Sequence, residues 1–320
     1  MKLKQIEEIL ECLPGDRTKF YYFKDRYALM LLSFITQEPR SIHAIKKSRY
    51  KRLLDKPIVK DILKKNGQGV FTSLAFDSFW PDNFQCYLLT LDTWGNRDRW
   101  YRFCNQTSRP GWNLVLQLNF SSQHNRAYTR LLKPQVKQPF QCFSHPVAEN
   151  DVHTLAWARL DMDLERGEAL IEEIQTDWVR LALRSKRDFT KFAAYDGDKK
   201  RYIPQYVKGI GCNLQDLNSY IEEELQPHIA IWQEAMLASA IWFLKEEIGI
   251  SKIFYHTFDF GCKLKRITGR RPPRSLYTQL PSKFCFEKTN CGPEFLVKNN
   301  NRTMSRLMKE QNCQFYVLEI

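Results

Sequence analysis

The chain has 320 residues, 43% of them hydrophobic and 13% aromatic, with only 13 Gly and 14 Pro, which excludes a disordered, collagen-like or low-complexity polypeptide and allows a sizeable core. With 49 Lys+Arg against 36 Asp+Glu the formal net charge is +13, which invites anionic partners such as nucleic acid or phosphorylated cofactors. Its longest apolar runs, such as the nine residues 27–35, fall short of the roughly 18 needed to span a bilayer, and acids stand where a signal peptide has an apolar core, so no membrane partner and a cytoplasmic location are expected.

Leu3, Ile6, Ile9, Leu10 and Leu13 recur at helical spacing, and Pro14-Gly15 stops that helix. Phe20, Phe23, Tyr27, Leu31 and Phe34 predict a second helix ending near Pro39. Basic helical segments follow up to Asn66-Gly67-Gln68-Gly69, the expected boundary of a helical amino-terminal region, 1–69. From residue 70 the vocabulary turns to strands: 85–91 and 113–120 are β-rich, the second leading into a helix, and 154–163 and 169–178 read as a hairpin turning at Gly167.

A polar stretch at about 184–211 reads as a long loop or insertion, followed by a helix closed by Pro227. Residues 228–249 are apolar around most of a helix circumference, with Gly249 as C-cap, so this helix should pack on a sheet. A strand at 251–258, a helix near 275–284, a strand around 285–289, a helix at about 301–311 and a closing strand at 314–320 complete an α/β (α+β) pattern. The expected fold is a mixed sheet covered by helices, in a domain from 70 to 320.

The charge excess sits at the two ends: residues 1–70 carry 16 basic and 8 acidic groups, and 231–320 carry 14 and 8. Residues 46–52 interleave Lys46, Lys47, Arg49, Lys51 and Arg52 with Tyr50, which suits phosphate contacts and stacking. Lys263, Lys265, Arg266, Arg270, Arg271 and Arg274 occupy twelve residues with no acid, a second candidate for an anionic ligand or nucleic acid. Nine cysteines without a CxxC pair read as reduced thiols, and six scattered histidines without HxxxH give no metal site. Cys142 and His145 have the types for a thiol and its base but no third group, and the Asn-x-Ser/Thr matches at Asn105, Asn119 and Asn301 carry no weight in a chain that is not exported.

Along 169–178, period two places Glu173, Gln175 and Asp177 on one face and Leu170, Glu172, Ile174, Thr176 and Trp178 on the other. A polar row on a strand with apolar flanks is either a site wall or a solvated edge. Two chemistries fit a site wall. In one, Glu173 or Asp177 is a general base beside a strand that an extended cofactor joins, Tyr277 on a later helix protonates the leaving group, and His256 faces Glu173 from the next strand. In the other, Asp161 or Asp163 with Glu173 and Gln175 holds a divalent metal for phosphodiester cleavage.

Residues 171–178, IEEIQTDW, followed downstream by WQEAMLASAIWFLKEEIGISKIFYHT at 232–257, resemble the EIQSDW-type domain of large polyvalent proteins of phages and mobile elements. The order of strand, long helix, strand and then a helix carrying LYTQLPSKF also resembles the carboxy-terminal half of the GNAT-superfamily acyltransferases. That resemblance implies transfer of an acyl group from acetyl-CoA or another acyl-CoA to an amine, with Tyr277 as the acid. It also implies a cofactor site, for which Gln175, Gly209, Gly211 and Arg274 are the candidates. The sequence departs from the family after Trp178, where VRLALRSKRDF replaces the glycine-bearing loop that cradles pyrophosphate. The alternatives are a nucleic-acid-binding or nuclease-like protein and a GNAT-like module that only binds partners.

Overall fold

Alternating apolar and polar runs set the strands of the computed structural model, which describes residues 1–12, 18–65, 69–96, 106–136, 139–142, 144–148, 152–195, 209–269, 271–297, 306 and 314–320. They are β1 (Thr18–Tyr22), β2 (Arg40–Ser41), β3 (Val70–Phe71), β4 (Gln85–Asn96), β5 (Gly111–Asn119), β6 (Thr154–Asp163), β7 (Glu168–Gln175), β8 (Lys252–His256), β9 (Glu287–Thr289) and β10 (Phe315–Glu319). β2 and β3 make a small separate ladder, and the other eight form one sheet in the order β1-β4-β5-β6-β7-β8-β10-β9. Every neighbouring pair in that sheet is antiparallel except β7 and β8. A parallel pair needs a crossover, and here several helices supply it between Trp178 and Trp242. The chain is thus α/β, a mixed sheet covered by helices.

The Trp232–Trp242 helix explains how the sheet is covered. Residues Ala235 to Ile241 are all buried, because the helix packs on β5, β6 and β7 with one side and meets the Arg26–Ile35 helix with another. Gly249, at φ +81°, ends the helical run in the left-handed conformation that a side chain disfavours. The β6–β7 hairpin closes through Gly167 at φ +61°, and the Asp163 carboxylate accepts the Arg166 N–H at 3.2 Å.

The expected boundary at residue 69 has no counterpart in the packing. β1 pairs with β4 along its whole length, and one apolar cluster joins Ile6, Tyr27 and Leu31 to Tyr255 and Leu318. Residues 18–22 are a strand and not the start of a helix, since aromatic and β-branched side chains at TKFYY fit an edge strand; the helix itself begins at Arg26. Pro227 does not close a helix, for helical structure continues through it as Gln226–Ile229, where proline's missing N–H is harmless in a first turn. The stretch expected as a loop from 184 is helical to Ala193. Its remainder at 196–208, the stop at Pro14-Gly15, the break at 66–68, Arg270, Cys104, Asn105, Asn301 and nearly all of the helix at 301–311 lie outside the described residues.

Among the described residues no helix is long and apolar enough to cross a membrane.

Candidate functional site

The ladder between β6 and β7 carries a bulge. Arg159 lies opposite Glu173 while Leu160 lies opposite Ile171, so Glu172 is an extra residue on β7. Strict alternation would set Glu172 and Leu170 on the face away from Glu173. The bulge resets the alternation: Leu170 opposite Asp161 and Glu173 opposite Arg159 belong to the same side of the sheet, and the Glu172 and Glu173 carboxylates share one cluster of buried polar groups.

That cluster is fully paired at its carboxylates. Glu172 accepts the Ser108 N–H at 2.9 Å and its hydroxyl at 2.7 Å, and the His256 Nε2 at 3.1 Å, while its backbone carbonyl takes the Lys265 ammonium at 2.8 Å. Glu173 takes the Arg159 guanidinium, which also donates to the Gln106 carbonyl at 3.1 Å, and lies 4.0 Å from Lys265. Burial raises both carboxyls, but the hydrogen bond and charge of His256 outweigh it at Glu172, and the charges of Arg159 and Lys265 outweigh it at Glu173; both end below the ordinary carboxylate range. Burial lowers Lys265 and His256, against the pull of the same carboxylates.

β7 and β8 stay paired only from Glu168–Lys252 to Ile171–Tyr255 and then part. Beyond that point β7 runs on to Gln175, and a cleft of about 480 Å³ opens over its carboxy-terminal half, within the range of small-ligand sites. Glu173 and Gln175 line it from β7, Arg180 from the helix that follows, His145 from the segment before β6, and Arg271 and Leu276 from the far side. Ile174, Val179, Trp232 and Pro272-Pro273 supply the apolar wall.

Asp177 joins this site through its neighbours. Its carboxylate accepts from His145 Nδ1 at 2.6 Å and the Gln175 amide at 3.0 Å, and pairs with Arg180. Burial pushes the Asp177 carboxyl up, yet the His145 hydrogen bond and charge, with Arg180, hold it below its usual range. Because Nδ1 of His145 is committed to Asp177, its Nε2 is the ring nitrogen left for the cleft. A carboxylate that fixes a histidine's orientation, with the other nitrogen free, is the arrangement of a general base.

The remaining expected residues are elsewhere. Tyr277 is 2% exposed in the main core, its ring stacked on Tyr255 at 5.4 Å; its hydroxyl has no partner among the described residues, and burial raises it well above 10. Leu276, one residue earlier, faces the cleft instead. His256 meets Glu172 and Ser108 and not Glu173, with no solvent exposure. Gly209 and Gly211 serve the segment at 132–136: Gln135 N–H donates to the Gly209 carbonyl at 2.8 Å, and a Cβ on Gly211 would sit 2.6 Å from the Lys133 carbonyl. Neither glycine lines the cleft. Arg274 is exposed, paired with Asp259 at 3.4 Å and stacked over Phe258 at 4.9 Å.

The two basic runs are only partly surface. In the first, Tyr50 donates to the Glu319 carbonyl at 2.9 Å, Arg49 pairs with Glu287, and Arg52 donates to the Ser282 carbonyl at 2.7 Å, so they fasten this region to the carboxy-terminal part of the chain. In the second, Lys265 is buried in the carboxylate cluster. The acids offered for a metal are used as well: Asp161 is clamped by Arg109 through two 2.7 Å bonds, and Asp163 pairs with Arg166. Among the described residues no three His, Cys, Asp or Glu side chains stand together as a metal site. Cys142 bonds Ser144 at 3.1 Å, while His145 turns to Asp177, so the two are not a thiol–base pair.

His145 and Arg271 escape a motif reading because nothing local ties them to β7. Arg180, three residues after Asp177, was within reach of it. No protein-family model matches the chain, and neither does any curated protein or solved structure.

Proposed function

We propose that this cleft transfers an acyl group from acyl-CoA to an amine, with His145 as the general base and Asp177 as the residue that orients it. The observation that carries the reading is the His145–Asp177 pair at the mouth of a cleft that opens where two parallel strands part. The element order of strand, helical crossover, strand and Tyr277 helix accords with the GNAT-like resemblance.

An aliphatic ammonium loses its proton near pH 10, so an amine acceptor needs a base before it attacks a thioester. In this reading the ammonium first loses one proton to solvent, and His145 Nε2 takes a second as the free amine nitrogen bonds to the acyl carbon. The carbon–sulfur bond then breaks and the thiolate leaves, to be protonated by the imidazolium. Ile174, Val179 and Leu276 suit the apolar part of the acyl arm, and the guanidinium of Arg271 suits its phosphates. Glu173, held by Arg159 and Lys265, is too acidic for a good base and serves to polarise the cleft. Tyr277 becomes part of the wall's support.

The test is release of free thiol from acetyl-CoA in the presence of a panel of primary amines, alongside thermal melting with acetyl-CoA alone. Acetyl-CoA should raise the melting temperature, and His145→Gln and Asp177→Asn should each cut turnover by about 10²–10⁴-fold while melting near the parent temperature. Stabilisation without turnover would leave a binding module, and neither effect would overturn the reading. Stabilisation by a nucleic acid duplex alone would favour the surface lysines Lys46, Lys47 and Lys51 as the working residues.

A further inference from the structure

A second cleft, of about 230 Å³, lies between the Arg26–Ile35 helix, the segment at 76–80 and the end of the long Trp232–Trp242 helix. It shares no lining residue with the cleft over β7. Its volume is below the range of drug-sized sites, so it suits a ligand about the size of one amino acid.

Its walls are aromatic. Phe23, Phe79 and Trp80 meet edge to face, with Phe23 and Trp80 ring centres 5.9 Å apart, and Trp242 closes another side. Arg26 enters this setting with its guanidinium carbon over Trp80 at 4.8 Å and over Phe20 at 5.1 Å from the ring centres. Stacking orients a guanidinium but satisfies none of its N–H groups. Nη1 of Arg26 is shut off from solvent and has no hydrogen-bond partner, and the Asp77 charge acts on Arg26 without forming an ion pair among the described residues. The guanidinium, which lines the cleft, thus carries a charge without a paired counter-ion, and an anion entering the cleft beside it would supply one. Two acids, Asp77 and Glu246, also line the cleft and are exposed, and Asp77 is held by the Ser33 hydroxyl at 2.9 Å.

A cleft with one half-buried cation, two outer carboxylates and aromatic walls matches a zwitterion with an apolar side chain. We propose that this cleft binds a free α-amino acid with an aromatic or large aliphatic side chain, its carboxylate on Arg26, its ammonium toward Asp77 and Glu246, and its side chain among Phe23, Phe79 and Trp80. A simple carboxylic acid would meet Arg26 but leave the two acids unanswered, and a simple amine would leave Arg26 as it stands.

Trp80 and Trp242 report on the site, so titration of tryptophan fluorescence with L-phenylalanine or L-leucine reads it directly, with isothermal calorimetry as the second measurement. The expected result is saturable binding that weakens at least tenfold for 3-phenylpropionate, which lacks the amine, and for phenethylamine, which lacks the carboxylate. Arg26→Met, which keeps an apolar stem against Trp80, should abolish binding while acetyl-CoA still shifts the melting temperature, so that failure of this site and failure of the acyl-transfer reading are told apart. Lys24→Ala, an exposed neighbour that does not line the cleft, should bind as the parent does. No saturable response to any of the apolar amino acids up to 10 mM, equal binding of 3-phenylpropionate, or unchanged binding by a folded Arg26→Met protein would each overturn the proposal.

Discussion

Acid should loosen this protein in a pH window set by histidines with no carboxylate beside them. His124 and His228 are buried together: the His124 ring lies parallel to Phe120 at 3.6 Å, and His228 stands edge-on to both at 5.0 and 5.4 Å. Their nitrogens meet tyrosine hydroxyls, His124 with Tyr220 at 3.1 Å and His228 with Tyr87 at 2.9 Å. Burial, with the two rings repelling each other at His124, lowers His124 to about 2 and His228 to about 4. The unfolded chain protonates both near 6.5, so the folded state binds fewer protons below that value and stability is lost as pH falls from 6.5 toward 4. Each ring costs about 1.4 kcal/mol per pH unit in that window, so the pair should remove about 4 kcal/mol between pH 8 and pH 5. His256, lowered mainly by burial, adds to the loss in the same direction. The carboxyls held low, Glu172, Glu173 and Asp177, act below this range, since their unfolded values lie near 4. Urea unfolding at pH 8.0, 6.5, 5.5 and 5.0 measures the slope, and His228→Asn should flatten it by about 2 kcal/mol over the interval. A parent whose stability is level from pH 7 to pH 5, or a variant with a parallel profile, would refute the reasoning.

Two further substitutions examine the polar cluster and its neighbour. Arg159→Leu strands the Glu173 carboxylate and should cost about 3–5 kcal/mol by urea unfolding, while the double change with Glu173→Leu should recover most of it; a single variant as stable as the parent would show that the pair does not compensate the charge. Tyr277→Phe removes a buried hydroxyl with no partner, so its melting temperature should hold or rise and thiol release should stay within about twofold; a loss above about 1 kcal/mol would mean that the hydroxyl is bonded.

Local chemistry made the strands legible and long-range packing did not follow from it. The alternation at 154–163 and the Gly167 turn foretold the β6–β7 hairpin, because strand period and turn conformation are properties of neighbouring residues. The same logic failed at residues 18–22, where aromatic residues at helical spacing became a strand once β4 offered an edge. Nor does it reach the contacts by which Arg49, Tyr50 and Arg52, before the expected boundary, fasten onto Glu287, Glu319 and Ser282 far along the chain.

The candidate site shows where such reading stops. Glu173 and Gln175 line one cleft, while Asp177, past the end of β7, reaches it only through Gln175, His145 and Arg180, and the extra residue Glu172 breaks the strand period between Glu173 and Leu170. A bulge on β7 has no mark in IEEIQTDW. It persists because Lys265, 93 positions away, takes the freed Glu172 carbonyl, and because Ser108 and His256 hold the carboxylate that would otherwise be buried without partners. The same holds for the base: His145 becomes chemically specific only when Asp177 turns toward it across 32 positions. Residue types and spacing thus locate the strand that carries the site, while the groups that set its faces and its proton chemistry come from segments that only the folded sheet brings together.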